Sequence, residues 1–153
     1  MSMLVVSNSS PLIALHQIGQ LPLLRSLFGS IVIPSAVAAE VVSIGDLPDF
    51  VSVHGLTQKL IPGIFLPMLG AGECEAILLA RELSANHVLL DDLPARKQAI
   101  QLGLSVIGTL GILCAAKQRG ILPVIRPSLD SLVQHGFRIA PQLLQNVLRT
   151  AAE

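Results

Sequence analysis

Aromatic side chains are scarce in this chain: of 153 residues none is Trp or Tyr and four are Phe. Unpaired bases are commonly gripped on aromatic faces, so there is little here with which to read single strands by sequence. Cysteine is equally rare. Cys74 and Cys114 show no CxxC or Cys/His spacing, which argues against a disulfide framework and against an ordinary zinc site, and both read as small core residues. His16, His54, His87 and His135 have no ligand spacing either. No Lys or Arg precedes Arg25, so the start lacks the positive region of a signal peptide, and the cytoplasm is the expected compartment. The longest charge-free stretches, residues 1–24 and 98–116, are broken by Ser, Gln, Gly or Pro. Neither offers the about 18 consecutive apolar residues of a membrane helix, and no membrane span is expected.

What is abundant is aliphatic: the hydrophobic fraction is 52% and the mean hydropathy +0.70. Without a membrane span, such a composition suits strands buried on both faces of a parallel sheet. A chain of this length builds one core without staples, so residues 1–153 are expected to be a single domain. The net charge of zero hides an asymmetry. Through Asp92 three bases face eight acids; from Leu93 onward seven bases face two acids. A basic surface beside an acidic site would suit a polyanion, although charges distant in sequence can also simply pair in the fold.

Strand and helix signals alternate. Residues 3–7 (MLVVS) and 31–33 (IVI) read as strands. Helices are expected over 11–18, with Ser10 as cap, and over 21–28, ending at Gly29. Ser35 caps an expected helix over 36–42, and a looser segment with Pro48, Pro62, Gly63 and Pro67 follows. Beyond Gly72 a helix is expected over 73–83, a strand over 87–90 (HVLL) and a helix over 93–102. A strand over 105–107 and a helix over 110–119, capped at Gly108-Thr109, come next. Pro127 and Pro141 mark first turns of two terminal helices. This alternation implies βαβ units and a parallel sheet.

Five of the ten acids, Glu40, Glu73, Glu75, Asp91 and Asp92, fall at element ends or on otherwise apolar helices. Ligands of open parallel sheets bind beyond the carboxyl ends of the strands, where Asn8 and Asp91-Asp92 are expected. Carboxylates crowded into one crevice repel one another unless a cation such as Mg²⁺ or Mn²⁺ intervenes. Each acid also has a plainer use. Asp92 can cap the following helix, and Glu73 or Glu75 can merely favour the positive end of a helix dipole. Two positions apart on a helix is roughly 200° of rotation, so only one of those glutamates can face a shared cleft, and Glu73 is favoured. Glu40 is a lone charge flanked by Ala39 and Val41, and Arg96 sits where an ion pair with Asp92 competes with phosphate contact.

Ser7-Asn8-Ser9-Ser10-Pro11-Leu12-Ile13, Pro34 with Glu40, Gly72-Glu73 with Ala76, Ile77 and Ala80, Leu90-Asp91-Asp92, and Gly103-Leu104 through Gly108-Thr109 together resemble the PIN-domain family. The likeness spans nearly the whole chain and is greatest to a prokaryotic subgroup related to the ribonuclease toxins of type II toxin-antitoxin pairs. The resemblance implies a three-layer α/β/α fold with a short parallel sheet and an acidic pocket binding Mg²⁺ or Mn²⁺ for cleavage of RNA. It assigns Asn8, Glu40, Glu73 and Asp91 or Asp92 to that pocket, with Thr109 near it and Arg96 toward the substrate. An antitoxin-like partner and a homodimer are further expectations. Asn8 departs from the pattern, because many active members carry Asp there. The alternative expectation is accordingly a PIN-like binding or regulatory protein with little catalysis. A dinucleotide enzyme is disfavoured because Glu75 occupies the third glycine position of a Gly70-x-Gly72 start. A phospho-accepting receiver should have its acidic pair after the first strand, not at Asp91.

Overall fold

The computed structural model describes residues 3–57 and 69–153. The loose segment expected around Pro62, Gly63 and Pro67 lies outside the described residues. Five short strands, β1 (Val5–Ser7), β2 (Ile31–Ile33), β3 (Val51–Val53), β4 (His87–Leu89) and β5 (Val106–Ile107), form one parallel sheet in the order β3-β2-β1-β4-β5. The helices are α1 (Ser9–Gln17), α2 (Leu23–Phe28), α3 (Ser35–Glu40), α4 (Ala71–Glu82), α5 (Leu93–Gln101), α6 (Thr109–Gln118), α7 (Arg126–Gln134) and α8 (Pro141–Thr150).

Successive strand residues point to opposite faces, and the two cores follow from that alternation. Val5, Ile31, Ile33 and Leu89 pack with Leu12, Leu15 and Leu24 of the first two helices and with Ile112 and Leu113 of α6. Val6, Val32, Val88 and Leu90 pack with Ile77 and Leu79 of α4 and with Ala95 and Ala99 of α5. The sheet is thus sandwiched, as a buried parallel sheet requires. The chain walks outward from β1 to β3 and then returns to β4 on the other side of β1. With right-handed crossovers, that reversal sends the two sets of helices to opposite faces.

Three expectations are corrected. The strand β3 lay inside the segment read as loose: it is three residues long, at an edge, with Ser52 and Val53 exposed, so it carried no apolar run to signal it. The helix expected over 36–42 ends at Glu40, and Val41–Ile44 tightens into a 3-10 turn. Ser35 is helical rather than the cap; the amide of Ala36 instead donates to Glu75 Oε1 at 3.1 Å, from across the fold.

The Glu153 side chain ties the end of the chain to α6 and to the start of α7, beside the apolar packing of Leu144, Val147 and Leu148 on the core. Glu153 accepts from Lys117 Nζ at 2.9 Å, from the Ile125 amide at 2.8 Å and from the Arg126 amide at 3.1 Å, satisfying donors at the start of α7. The bond from Lys117, aided by the two amides, pulls the Glu153 carboxyl below its ordinary range. A carboxyl with a lowered folded pKa contributes stability that is present above its unfolded value and lost as pH falls through the folded one. Amides of α8 and the first turn of α7 are therefore expected to lose protection in acid, measured against the intrinsic exchange rate at each pH, and Glu153→Gln should reproduce that loss at neutral pH. Hydrogen exchange resolved by peptide checks both; equal exchange in the variant would show that this clasp is not what holds α8.

Candidate metal centre and nucleic-acid groove

The crevice beyond the ends of β1 and β4 is the point where the strand order reverses, the usual ligand position in such sheets. Register makes it so. Ser7 pairs with Leu89, and the Asn8 amide donates to the Leu89 carbonyl at 3.0 Å, so Asn8 and the residues following Leu89 leave adjacent strands side by side.

Asn8 occupies the cap position of α1, yet its side chain makes no capping bond. It is 1% exposed, and its Oδ1 has no hydrogen-bond partner. A buried amide oxygen without a donor costs on the order of 1–3 kcal/mol, so this atom needs a reason. Beside it stands the Glu40 carboxylate, at the negative end of α3, where the helix dipole gives it no help. The two meet over Gly72: a Cβ there would lie 3.1 Å from Asn8 Oδ1 and would collide with Glu40 Oε1. Glycine at this position lets α4 approach the pair closely. Ser9 Oγ donates to Glu40 Oε2 at 3.2 Å. Two oxygens converge here, and the donor set, one amide oxygen and one carboxylate, is that of a hard divalent metal.

Asp91 stands across the crevice. Thr109, fully buried, donates to it twice, from its amide to Oδ1 at 2.7 Å and from Oγ1 to Oδ2 at 2.6 Å. The carboxylate thereby serves the first turn of α6, whose cap position is Gly108. The expected cap at Gly108-Thr109 is thus supplied from another strand. Burial pushes the Asp91 carboxyl above its ordinary range, against the two Thr109 bonds and the Arg96 charge, which pull it down. A carboxyl disfavoured in this way, within a cleft, is a candidate functional group.

The remaining expected residues separate. Asp92 caps α5, its Oδ2 accepting from the Ala95 amide at 3.1 Å, and is exposed. Of the doublet, Asp91 is the one in the crevice. Glu75 turns to α3, as its bond to Ala36 requires, whereas Glu73 leans back over Gly70, its Oε2 standing 2.6 Å from where a Cβ would be. The two glutamates therefore face different ways, as their spacing demanded. Arg96 does not pair with Asp92; its Nη1 donates to the Leu90 carbonyl at 3.1 Å and its charge acts on Asp91. Among the described residues no three His, Cys, Asp or Glu side chains come together as a metal site. Of the expected site residues, Asn8 and Glu40 meet over Gly72, Asp91 is bound by Thr109, Glu73 lies over Gly70 and Asp92 caps α5.

Two residues that the sequence had not singled out join the site. Phe137 and Arg138 border both a cavity of about 660 Å³ that runs over β5 and α6 and a cavity of about 340 Å³ beside α1; Asp91 borders both as well. The excess of bases after Leu93 was the only signal of them.

A raised folded pKa means that ionising Asp91 costs folding energy. The native state binds more protons than the unfolded one between the ordinary aspartate value and the raised value, so this penalty grows as pH rises through that window and is complete above it. Asp91→Asn, which keeps an oxygen for the Thr109 amide, is expected to melt at the same temperature or higher at neutral pH in chelator. A drop of several degrees would mean that the charge itself supports the fold.

The comparisons agree with this architecture. A family model described as a PIN domain matches residues 4–153. A solved PilT N-terminus domain protein from the hyperthermophilic archaeon Sulfolobus solfataricus is similar to the chain at 22% identity and a TM-score of 0.55, covering 74% of this chain and 93% of that one. No curated protein matches. Among the described residues no helix is long and apolar enough to cross a membrane. With a five-stranded parallel sheet between helix layers and a family match from Leu4 to Glu153, the chain belongs to the PIN-domain family, a nuclease-type fold.

Proposed function

We propose that this protein is a metal-dependent ribonuclease of PIN type that cleaves RNA phosphodiesters with Mg²⁺ or Mn²⁺. The observation that carries the reading is the buried, partnerless Asn8 Oδ1 facing the Glu40 carboxylate. Those two groups and Asp91 would hold the ion, while Glu73, next in chain to Gly72, supplies a further carboxylate at the same end of α4. A ligand set this small suits Mg²⁺, which keeps several of its waters. When bound, such an ion lowers the pKa of a ligated water and offsets charge on the phosphate. Thr109 orients the Asp91 carboxylate through two bonds and so fixes its direction in the crevice. Arg96 partly offsets the Asp91 charge that would otherwise repel a phosphate. The amide at Asn8 contributes an oxygen without charge, so the ion is held less firmly than an aspartate would hold it.

The family resemblance alone supports the finer readings: action in the cytoplasm, a homodimer, and a toxin role restrained by a small antitoxin-like protein. One observation favours a second reading, a PIN-like binding or regulatory protein with little catalysis. The crevice offers a neutral Asn8 where charge would help, and no trio of acidic or other ligand side chains among the described residues.

Cleavage of a mixed-sequence RNA in Mn²⁺ separates the two readings. Asp91→Ala and Glu40→Ala are expected to abolish it. Asp92→Ala should leave it, at a stability cost of about 1 kcal/mol for the lost cap. Undiminished cleavage by the first two variants, or none by the wild-type protein in any divalent ion, would sink the nuclease reading. By calorimetry, Asn8→Asp should tighten Mn²⁺ on the order of tenfold, because added ligand charge raises affinity. Gly72→Ala should weaken it by displacing Glu40. An Asn8→Asp variant that binds no better than wild type would remove Asn8 from the ligand set.

A further inference from the structure

The two cavities that meet at Asp91 share two other walls, Phe137 and Arg138, and so form one groove across the crevice. These residues do not sit on a loose loop. At the end of α7 the Gly136 amide donates to Val133 O at 3.0 Å and the Phe137 amide to Leu132 O at 2.9 Å, with Gly136 at φ 92°. That is the Schellman arrangement, a glycine-terminated helix end closed by two crossed backbone bonds. It sets the direction in which the chain leaves the helix, and Phe137 packs partly into the core beneath. Phe137 and Arg138 are thereby placed before any ligand arrives, which lowers the ordering cost of binding.

The chemistry of the groove is mixed. Its larger cavity is walled by apolar Leu110, Leu143 and Val147 and has the volume of a small-ligand site, enough for an unpaired base. Arg138 is exposed at the junction and, among the described residues, makes no hydrogen bond or ion pair. Arg96, the other cation at the groove, is spent on the Leu90 carbonyl. Arg138 is therefore the cation left for an incoming anion, beside one of only four phenylalanines in the chain.

We infer that Phe137 and Arg138 form a clamp for single-stranded RNA, with Phe137 lining the seat of an unpaired base and Arg138 taking the neighbouring phosphate, so that the strand crosses Asp91. The inference rests on the nuclease reading of Asp91 but concerns strand binding rather than the chemistry. A double helix cannot place a stacked base in the larger cavity, so single strands are the expected ligand.

The test measures binding of a fluorescent mixed-sequence RNA oligonucleotide to the full chain in Ca²⁺ by anisotropy, across a salt series. Arg138→Gln should weaken the single strand about tenfold and flatten the slope of log affinity against log salt by about 0.7, one phosphate contact. Arg138→Lys should recover most of that loss. Phe137→Leu, which keeps bulk in the core, should also weaken binding about tenfold while leaving the salt slope unchanged. Mn²⁺ affinity and melting temperature should match wild type in Arg138→Gln. Wild-type affinity and slope in that variant overturn the clamp and leave the nuclease reading standing. The expected binding losses without any cleavage by the wild-type protein support the clamp while the catalytic reading fails. A wild-type protein that binds duplex as well as single strand, or binds neither, also overturns the clamp.

Discussion

The pairing of β1 with β4 is the constraint on which the site depends. Parallel register places Ser7 opposite Leu89, so that Asn8 and Asp91, 83 positions apart in the chain, emerge at the same end of adjacent strands. Because the strand order reverses at β1, no crossover helix covers the gap between the two strand ends, and a crevice remains there. Slipping that pairing by one residue would turn Val6 and Val88 out of one core and Val5 and Leu89 out of the other, so both cores hold the register in place.

The acidic residues are shared among several structural tasks. Glu75 serves the start of α3, Asp92 the start of α5, Asp91 the start of α6 and Glu153 the start of α7. In three of these cases the carboxylate comes from elsewhere in the chain, replacing a cap that the helix does not supply for itself. This satisfies amide donors that would otherwise be orphaned, and it couples each helix start to a distant element. Glu40 is the exception: it stands at the wrong end of its helix for the dipole and beside a buried oxygen without a donor. Asp91 belongs to both groups, being a cap for α6 and a buried, disfavoured charge in the crevice. Residues that cost stability where they stand are the ones whose placement folding alone does not explain.

Opposite the acids, the chain ends in elements rich in bases. Lys117 and Arg126 are committed to Glu153, Arg119 to the Leu27 carbonyl and Arg96 to the Leu90 carbonyl. These contacts hold the cations in place without neutralising the imbalance: Arg96 and Arg119 bond backbone carbonyls, and the ion pairs Arg25–Asp49 and Lys117–Glu153 each join residues from the same half of the chain. Arg138 differs because the cap of α7 carries it to the groove rather than to a partner.

The sequence by itself determined the class of fold, most of the elements and the end of the sheet where the site lies. Apolar runs of β-branched residues, glycines after helices and prolines at first turns are local signals, and they placed β1, β2, β4, β5 and the first six helices to within about two residues, and the starts of α7 and α8. It also determined that Glu73 and Glu75 must part, because helical rotation per residue is invariant. The strand β3, the donation from Ala36 to Glu75, the choice of Asp91 over Asp92 and the arrival of Phe137 and Arg138 were decided only by tertiary structure. Each of these depends on which atoms a side chain meets after the helices dock, and that is set by packing between residues far apart in sequence, which neither propensity nor periodicity encodes.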